Sequence, residues 1–160
     1  MRRFLVLALC AAMTLGLMGI ALASNTASHN VTVTVSAINE IAITGGSITL
    51  TINSASAGSN PNNATNNTCT MDWTTNENLK KITVETDQAS PNFTLRVQAT
   101  GVTGTGSAAG NITITNSPAD FVTGVATTTG SCTLNYTASA TAGQGTGTVV
   151  HVITYTITGA

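Results

Sequence analysis

The chain has 160 residues, of which only 7% are charged, with five basic and six acidic side chains and a formal net charge of −1 at pH 7. A nucleic-acid-binding protein needs a basic stripe that displaces counterions from phosphates, and so few cations do not make one. We therefore expect no nucleic-acid partner, and the length fits a single domain of ordinary size.

Residues 1–23 predict a cleavable signal peptide. Two arginines precede an almost wholly apolar run from residue 4 to 23, in which Ala21 and Ala23 give the small-x-small pattern that a signal peptidase accepts. Cleavage would leave a mature chain of residues 24–160, secreted or held at the cell surface without a membrane span. An uncleaved anchor is the alternative, because about 20 apolar residues can cross a bilayer.

The mature chain predicts an all-β fold, a single antiparallel β-sandwich of about eight or nine strands. Threonine, asparagine and β-branched residues are abundant, which favours strands and polar turns over helices. Apolar residues recur at every second position, and no segment has the 3.6-residue period of an amphipathic helix. The alternating segments are residues 31–36, 41–43, 48–52, 69–73, 82–84, 93–97, 112–114, 132–136 and 151–157.

Three polar stretches between these segments predict loops. Residues 54–68 and 101–110 are rich in Asn, Ser, Gly and Thr and predict long surface loops. Residues 141–148 carry three glycines before the last strand. We find no internal repeat and no domain linker, so we expect one domain over residues 24–160, with an N-terminal extension of residues 24–37.

Cys69 and Cys132 are the only cysteines of the mature chain, and they predict one disulfide. An exported protein meets an oxidising compartment, in which paired thiols tend to join. Cys69 alternates in register with Met71, and Cys132 with Leu134, so we expect both sulfurs to face the apolar side of their strands. By restricting the unfolded chain, this disulfide would raise the free energy of the unfolded state by at most about 4 kcal/mol.

Catalysis needs convergent titratable groups, and this chain offers few of them. Its two histidines are His29, in the N-terminal segment, and His151, at the start of the last strand. The acidic residues lack the spacing of a calcium loop, and the Gly-rich residues 104–110 lack the lysine of a P-loop and the spacing of a nucleophile turn. We therefore expect no enzyme activity, no catalytic residue, no cofactor and no metal site.

Glycan binding is the alternative function, since secreted β-sandwiches often stack sugars on exposed aromatic rings. Four of the five aromatic residues of the mature chain lie in register with apolar neighbours, which predicts a core position for them. The orientation of the fifth, Phe121, stays open in the sequence. A monomeric secreted module with a glycan or a host surface as its partner is the alternative that these residues leave. The five are Trp73, Phe93, Phe121, Tyr136 and Tyr155.

Two segments carry a resemblance to a known class of protein. Residues 25–37 are a polar lead followed by alternating Val and Thr, and residues 149–160 are a final alternating strand. Together with the signal peptide and the polar strands, they resemble subunits of bacterial surface fibres, the fimbrial and spore-coat-like β-sandwich proteins. The predicted disulfide departs from that of chaperone-assembled pilins, because it joins central and C-terminal strands rather than the first two.

The resemblance implies an extracellular structural or adhesive subunit that self-associates into a homopolymer. In such families a flexible N-terminal strand of one subunit completes the sheet of the next by β-augmentation. Val31, Val33 and Val35 are then the candidate donor strand. The alternative role for this segment is an edge strand of the subunit's own sheet.

Overall fold

The computed structural model describes residues 25–160, so the predicted signal peptide, residues 1–23, lies outside the described residues. Residues 25–35 belong to an N-terminal unit that is separate from the unit of residues 36–160. They have no regular secondary structure, so the strand predicted over residues 31–36 is not formed. The side chains of Val31, Val33 and Val35 are 74%, 81% and 73% exposed.

Residues 36–160 are all-β, as predicted, and form two antiparallel sheets. The strands are β1 (Asn39–Thr44), β2 (Ala64–Thr75), β3 (Lys80–Thr86), β4 (Thr94–Thr100), β5 (Ser107–Ala108), β6 (Asn111–Thr113), β7 (Ala119–Val125), β8 (Thr128–Ser139) and β9 (Ile153–Gly159). One sheet has the order β1-β2-β8-β4-β6 and the other β5-β7-β3-β9. A 3-10 turn over Ala142–Gln144 is the one helical element among the described residues.

The two sheets share one apolar core, as expected for a β-sandwich. Met71 and Leu134 reach it from the five-stranded sheet, and Ile82 and Phe121 reach it from the four-stranded sheet. All four side chains are fully buried. Because strand side chains alternate between two faces, the period-two pattern of the sequence predicts many of the residues that enter this core, although not those of β3 and β7, where consecutive residues are buried.

Two strands lie where the sequence predicted none. β5 falls inside the predicted loop of residues 101–110, and β7 has no clear alternation in its sequence. In β7, the neighbouring residues Phe121 and Val122 are both fully buried, and the register against β3 shifts close to them. Such an irregularity interrupts the period-two pattern from which a strand is recognised.

The predicted strand over residues 48–52 is not formed, although its alternation persists in the packing. Gly45 and Gly46 have φ angles of 109° and 67° and end β1 in a turn, after which the chain leaves β2. A Cβ atom on Gly45 would lie 2.8 Å from the Cα of Cys69, so only glycine fits there. Ile48 and Leu50 are half-buried against the core without pairing to a strand.

Each sheet has one long and one short edge strand. In the five-stranded sheet the edges are β1, with six residues, and β6, with three. In the four-stranded sheet they are β9, with seven residues, and β5, with two. The two long edge strands, β1 and β9, contact each other.

Candidate functional site

The two cysteines lie on neighbouring strands but do not form the predicted disulfide. Cys69 on β2 stands opposite Leu134, and Cys132 on β8 stands opposite Met71, so the thiols are offset along the ladder. Diagonal neighbours of this kind lie about 7–8 Å apart, beyond the Cα separation of about 4.4–6.8 Å that a disulfide spans. Both are free thiols. The predicted facing is confirmed, because Cys69 is 3% and Cys132 is 2% exposed.

The thiol of Cys132 is held in its protonated form. Burial raises its pKa to about 11, and the nearby carboxylate of Asp72 acts in the same direction. Since the thiolate is the nucleophilic form of cysteine, this environment is that of a structural residue and not of a reactive one.

His151 lies directly before β9 and has a hydroxyl and a carboxylate beside it. Its Nδ1 is 3.0 Å from Oγ1 of Thr86, the last residue of β3. The carboxylate of the next residue, Asp87, accepts a hydrogen bond of 2.9 Å from the backbone N of Val152. Burial lowers the pKa of His151, and the charge of Asp87 raises it in part. Within residues 25–160, no three His, Cys, Asp or Glu side chains come together as metal ligands would.

The aromatic side chains are largely inside the sandwich. The buried rings are those of Trp73, Phe121, Tyr136 and Tyr155. Phe121, whose orientation the sequence left open, therefore points into the core. Its ring centroid lies 5.1 Å from that of Tyr155 in a tilted contact. Phe93 is half-buried, so the described residues offer no fully exposed ring on which a sugar could stack.

A hollow of about 320 Å³ lies beside Trp73 and is lined by polar residues that include Asp72, Thr103 and Ser131. The indole of Trp73 is only 2% exposed, and its Nε1 is buried without a hydrogen-bond partner among the described residues. A ligand in this hollow would therefore meet hydroxyl groups and one carboxylate, but no accessible ring face.

A much larger groove, of about 1050 Å³, opens within residues 36–160, and we refer to it as the groove. Two segments without strand structure line it, residues 46–55 and 145–151. Strands of both sheets contribute further apolar residues to its lining. The apolar side chains include Ile48, Leu50, Ile52, Leu95, Tyr136, Val149 and Ile153.

Both lining segments leave backbone groups without a backbone partner. In the described chain, neither residues 47–53 nor residues 146–151 make a backbone–backbone hydrogen bond. Residues 149 to 157 nevertheless keep the alternation of a strand, since residues 149, 151, 153, 155 and 157 are more buried than their neighbours. The groove is therefore bordered by two segments that keep the alternation of a strand but have no backbone partner over residues 47–53 and 146–151 of the described chain.

The lining of the groove carries no Asp, Glu, Lys or Arg from the described chain. His151 is the one lining residue whose charge ordinarily changes between pH 5 and 8. The basic side chains of β3 lie elsewhere, with Lys80 paired to Glu77 at 3.0 Å and Lys81 paired to Asp120 at 2.9 Å. The groove thus suits an uncharged occupant that can place apolar side chains against its apolar lining residues.

The groove was not predicted from the sequence, although glycines mark both of its lining segments. Gly45 and Gly46 stand at the start of one lining segment, and Gly145 and Gly147 lie within the other. Residues 141–148 were predicted to be a weak, non-strand stretch, and this is confirmed. The candidate donor strand, Val31, Val33 and Val35, stays exposed in the N-terminal unit.

No family model, no curated protein and no solved structure matches this chain. The described residues also contain no helix that is long and apolar enough to span a membrane.

Proposed function

We propose that this chain is an extracellular structural or adhesive subunit that assembles into filaments, with an N-terminal segment of one copy filling the groove of the next. We call residues 25–37 the donor segment. In this proposal residues 1–23 are the signal peptide that directs export. The observation that carries the proposal is the groove, bordered by residues 47–53 and 146–151, which make no backbone–backbone hydrogen bond within the described chain.

The donor segment is chemically suited to this groove. Like the groove lining, it contains no Asp, Glu, Lys or Arg. Removing a charged side chain from water costs a large amount of free energy. Burying the donor segment avoids this cost, because it carries no permanently charged side chain. Its three valines are exposed in the described structure, so their apolar surface is free to be buried by a partner.

The spacing of the valines also suits a missing strand. Alternate residues of a strand point to the same side, and five extended residues span about 17 Å. Val31, Val33 and Val35 would face the core beside Ile48 and Leu50, while the threonines between them would face outwards. The backbone of the inserted strand would hydrogen-bond to the two lining segments, which is the physical basis of β-augmentation.

A monomeric glycan-binding module is the alternative, and the aromatic residues argue against it. Sugar stacking needs an accessible ring face, whereas Trp73, Phe121, Tyr136 and Tyr155 are buried. The polar hollow beside Trp73 offers a glycan hydroxyl groups and one carboxylate but no accessible ring. Specific binding of a sugar by a strictly monomeric protein would favour this alternative.

The test compares two substitutions that place the same charge on opposite faces of the donor segment. In the full chain, expressed from Met1 and purified after processing by the cell, Val33→Asp should weaken self-association by at least about 100-fold, because a buried unpaired carboxylate costs several kcal/mol. Thr32→Asp, its matched control, should retain polymers because its carboxylate would face solvent. Sedimentation velocity and negative-stain microscopy measure both.

Val33 is 81% exposed, so the Val33→Asp chain should fold as the unsubstituted chain does, which its circular dichroism spectrum checks. Polymers that persist unchanged with Asp at position 33 would rule out this donor segment. An unsubstituted protein that stays monomeric at high concentration would move the assignment to the glycan-binding alternative.

A further inference from the structure

We propose that mild acid weakens the attachment of the donor segment to the groove, because protonation of His151 places a charge where the inserted strand would bury it. This inference rests on the proposed function and adds a regulation to the same site. It makes assembly dependent on pH in a range where, among the described residues of the proposed interface, histidine is the only type of side chain whose charge ordinarily changes.

His151 is held at the groove by contacts on one side of its ring. Nδ1 lies 3.0 Å from the hydroxyl of Thr86, a buried residue at the end of β3. His151 lines the groove, and the residue is half-buried. An inserted strand would cover the remaining exposed part and remove more water from the ring.

The charged group beside His151, the carboxylate of Asp87, belongs to the same subunit whether the groove is empty or filled. Asp87 raises the pKa of the histidine, opposing the effect of burial. Its carboxylate is fixed by the backbone N of Val152 at 2.9 Å, a contact within the subunit itself. The other titratable groups that line the groove are the Cys69 thiol and the Tyr136 phenol, and neither type carries a charge in mild acid.

The donor segment cannot neutralise a protonated His151, because it contains no acidic residue. It contributes the second histidine of the chain instead, His29. In an extended strand, residue 29 shares a face with residues 31, 33 and 35, so His29 would enter the interface on the same side as the valines. Protonation of His29 would place a second charge in an interface without a counter-charge.

The direction of the effect follows from proton linkage. Burial already lowers the pKa of His151 in the unfilled subunit, and a covering strand would lower it further. The filled groove therefore binds fewer protons than the empty one, so attachment is strongest at neutral pH and weakens as the pH falls through the pKa of the empty subunit. One such histidine raises the apparent dissociation constant by up to about tenfold per pH unit below that pKa, and two raise it more steeply.

The experiment uses the full-chain Val33→Asp protein as a receiver, since its groove is intact and its own donor segment is impaired. A fluorescent peptide of residues 27–37 with the natural sequence is the probe, and anisotropy gives its dissociation constant from pH 7.5 to 5.0. We expect the constant to rise by about tenfold or more over this range, the amount that one linked proton permits.

Replacing His151 by Asn in the same receiver keeps a polar group near Thr86 but removes the charge change. With a peptide in which His29 is also replaced by Asn, the dissociation constant should become nearly independent of pH. The unsubstituted receiver with the His29→Asn peptide isolates the contribution of His151. Circular dichroism at each pH checks that the receivers stay folded.

The two proposals fail in different ways. No peptide binding at pH 7.5 would overturn the proposed function. Binding at pH 7.5 that is equally tight at pH 5.0, or that weakens just as much when both histidines are replaced, would overturn the pH dependence while leaving strand donation intact.

Discussion

The hydroxyl oxygen of Tyr136 on β8 lies 2.9 Å from the hydroxyl oxygen of Tyr155 on β9. The two strands belong to different sheets, so this hydrogen bond connects the two layers of the sandwich. Burial raises the pKa of both phenols, which keeps them neutral at ordinary pH. Each hydroxyl is the partner of the other in a region without bulk water, so neither can be lost without leaving the other unpaired.

Replacing either tyrosine by Phe should lower the free energy of unfolding by about 1–3 kcal/mol, because one buried hydroxyl is then left without its partner. The double variant Tyr136→Phe/Tyr155→Phe should lose less than the sum of the two single variants, since it leaves no orphaned hydroxyl. Urea denaturation of the four proteins measures this cycle. Strictly additive losses would mean that the two hydroxyls do not interact.

The thiols of Cys69 and Cys132 should be present in reduced form and unreactive in the folded protein. At pH 8, a pKa of about 11 leaves about one Cys132 in a thousand as thiolate, and burial excludes reagents from both sulfurs. Iodoacetamide should add to neither thiol under native conditions and to both in denaturant without reductant. Mass spectrometry detects this difference, and a denatured chain that takes up no label would instead contain the disulfide.

Filling the groove from within the subunit should prevent assembly. Gly147 lines the groove, and a Cβ there would meet the ring of Phe93 at 3.6 Å, an ordinary contact. Gly147→Leu should therefore fold, extend its side chain beside Phe93 and reduce binding of the residue 27–37 peptide by at least about tenfold, the effect of losing about 1.4 kcal/mol of contact.

Gly143→Leu is the matched control for that variant. Gly143 lies on the exposed 3-10 turn outside the groove lining, and a Cβ there meets no atom within 4 Å. This variant should bind the peptide as the unsubstituted receiver does. Equal loss of binding in both variants would mean that the leucine acts on the fold or on solubility and not by occupying the groove.

Much of the fold was accessible from alternation alone, and the exceptions have physical causes. The facing of Cys69 and Cys132 was predicted correctly, because period-two alternation determines which side of a strand is buried. Their pairing was not, because cross-strand register depends on the whole ladder of β2 and β8 and not on the spacing of two cysteines. β7 was missed because Phe121 and Val122 are both buried.

The groove was missed for a different reason. Residues 48–52 alternate as a paired strand would, and nothing in one sequence distinguishes a strand with neighbours from one that lacks them. The same ambiguity applies to residues 149–151, which continue the pattern of β9 without its pairing. Whether such a segment pairs with another strand depends on the turns around it. Those turns determine its position in the folded protein, which the alternation of the sequence does not encode.

The unequal edge strands have a consequence for the shape of any assembly. The unpaired backbone groups of an edge strand can hydrogen-bond to a strand of another chain. A very short edge strand offers few such groups and therefore binds another strand weakly. β5 and β6, with two and three residues, blunt one margin of each sheet, whereas β1 and β9 leave the opposite margins open. Under the proposed assembly, an added strand is therefore expected at the margins of β1 and β9, and lateral growth through β5 and β6 is disfavoured.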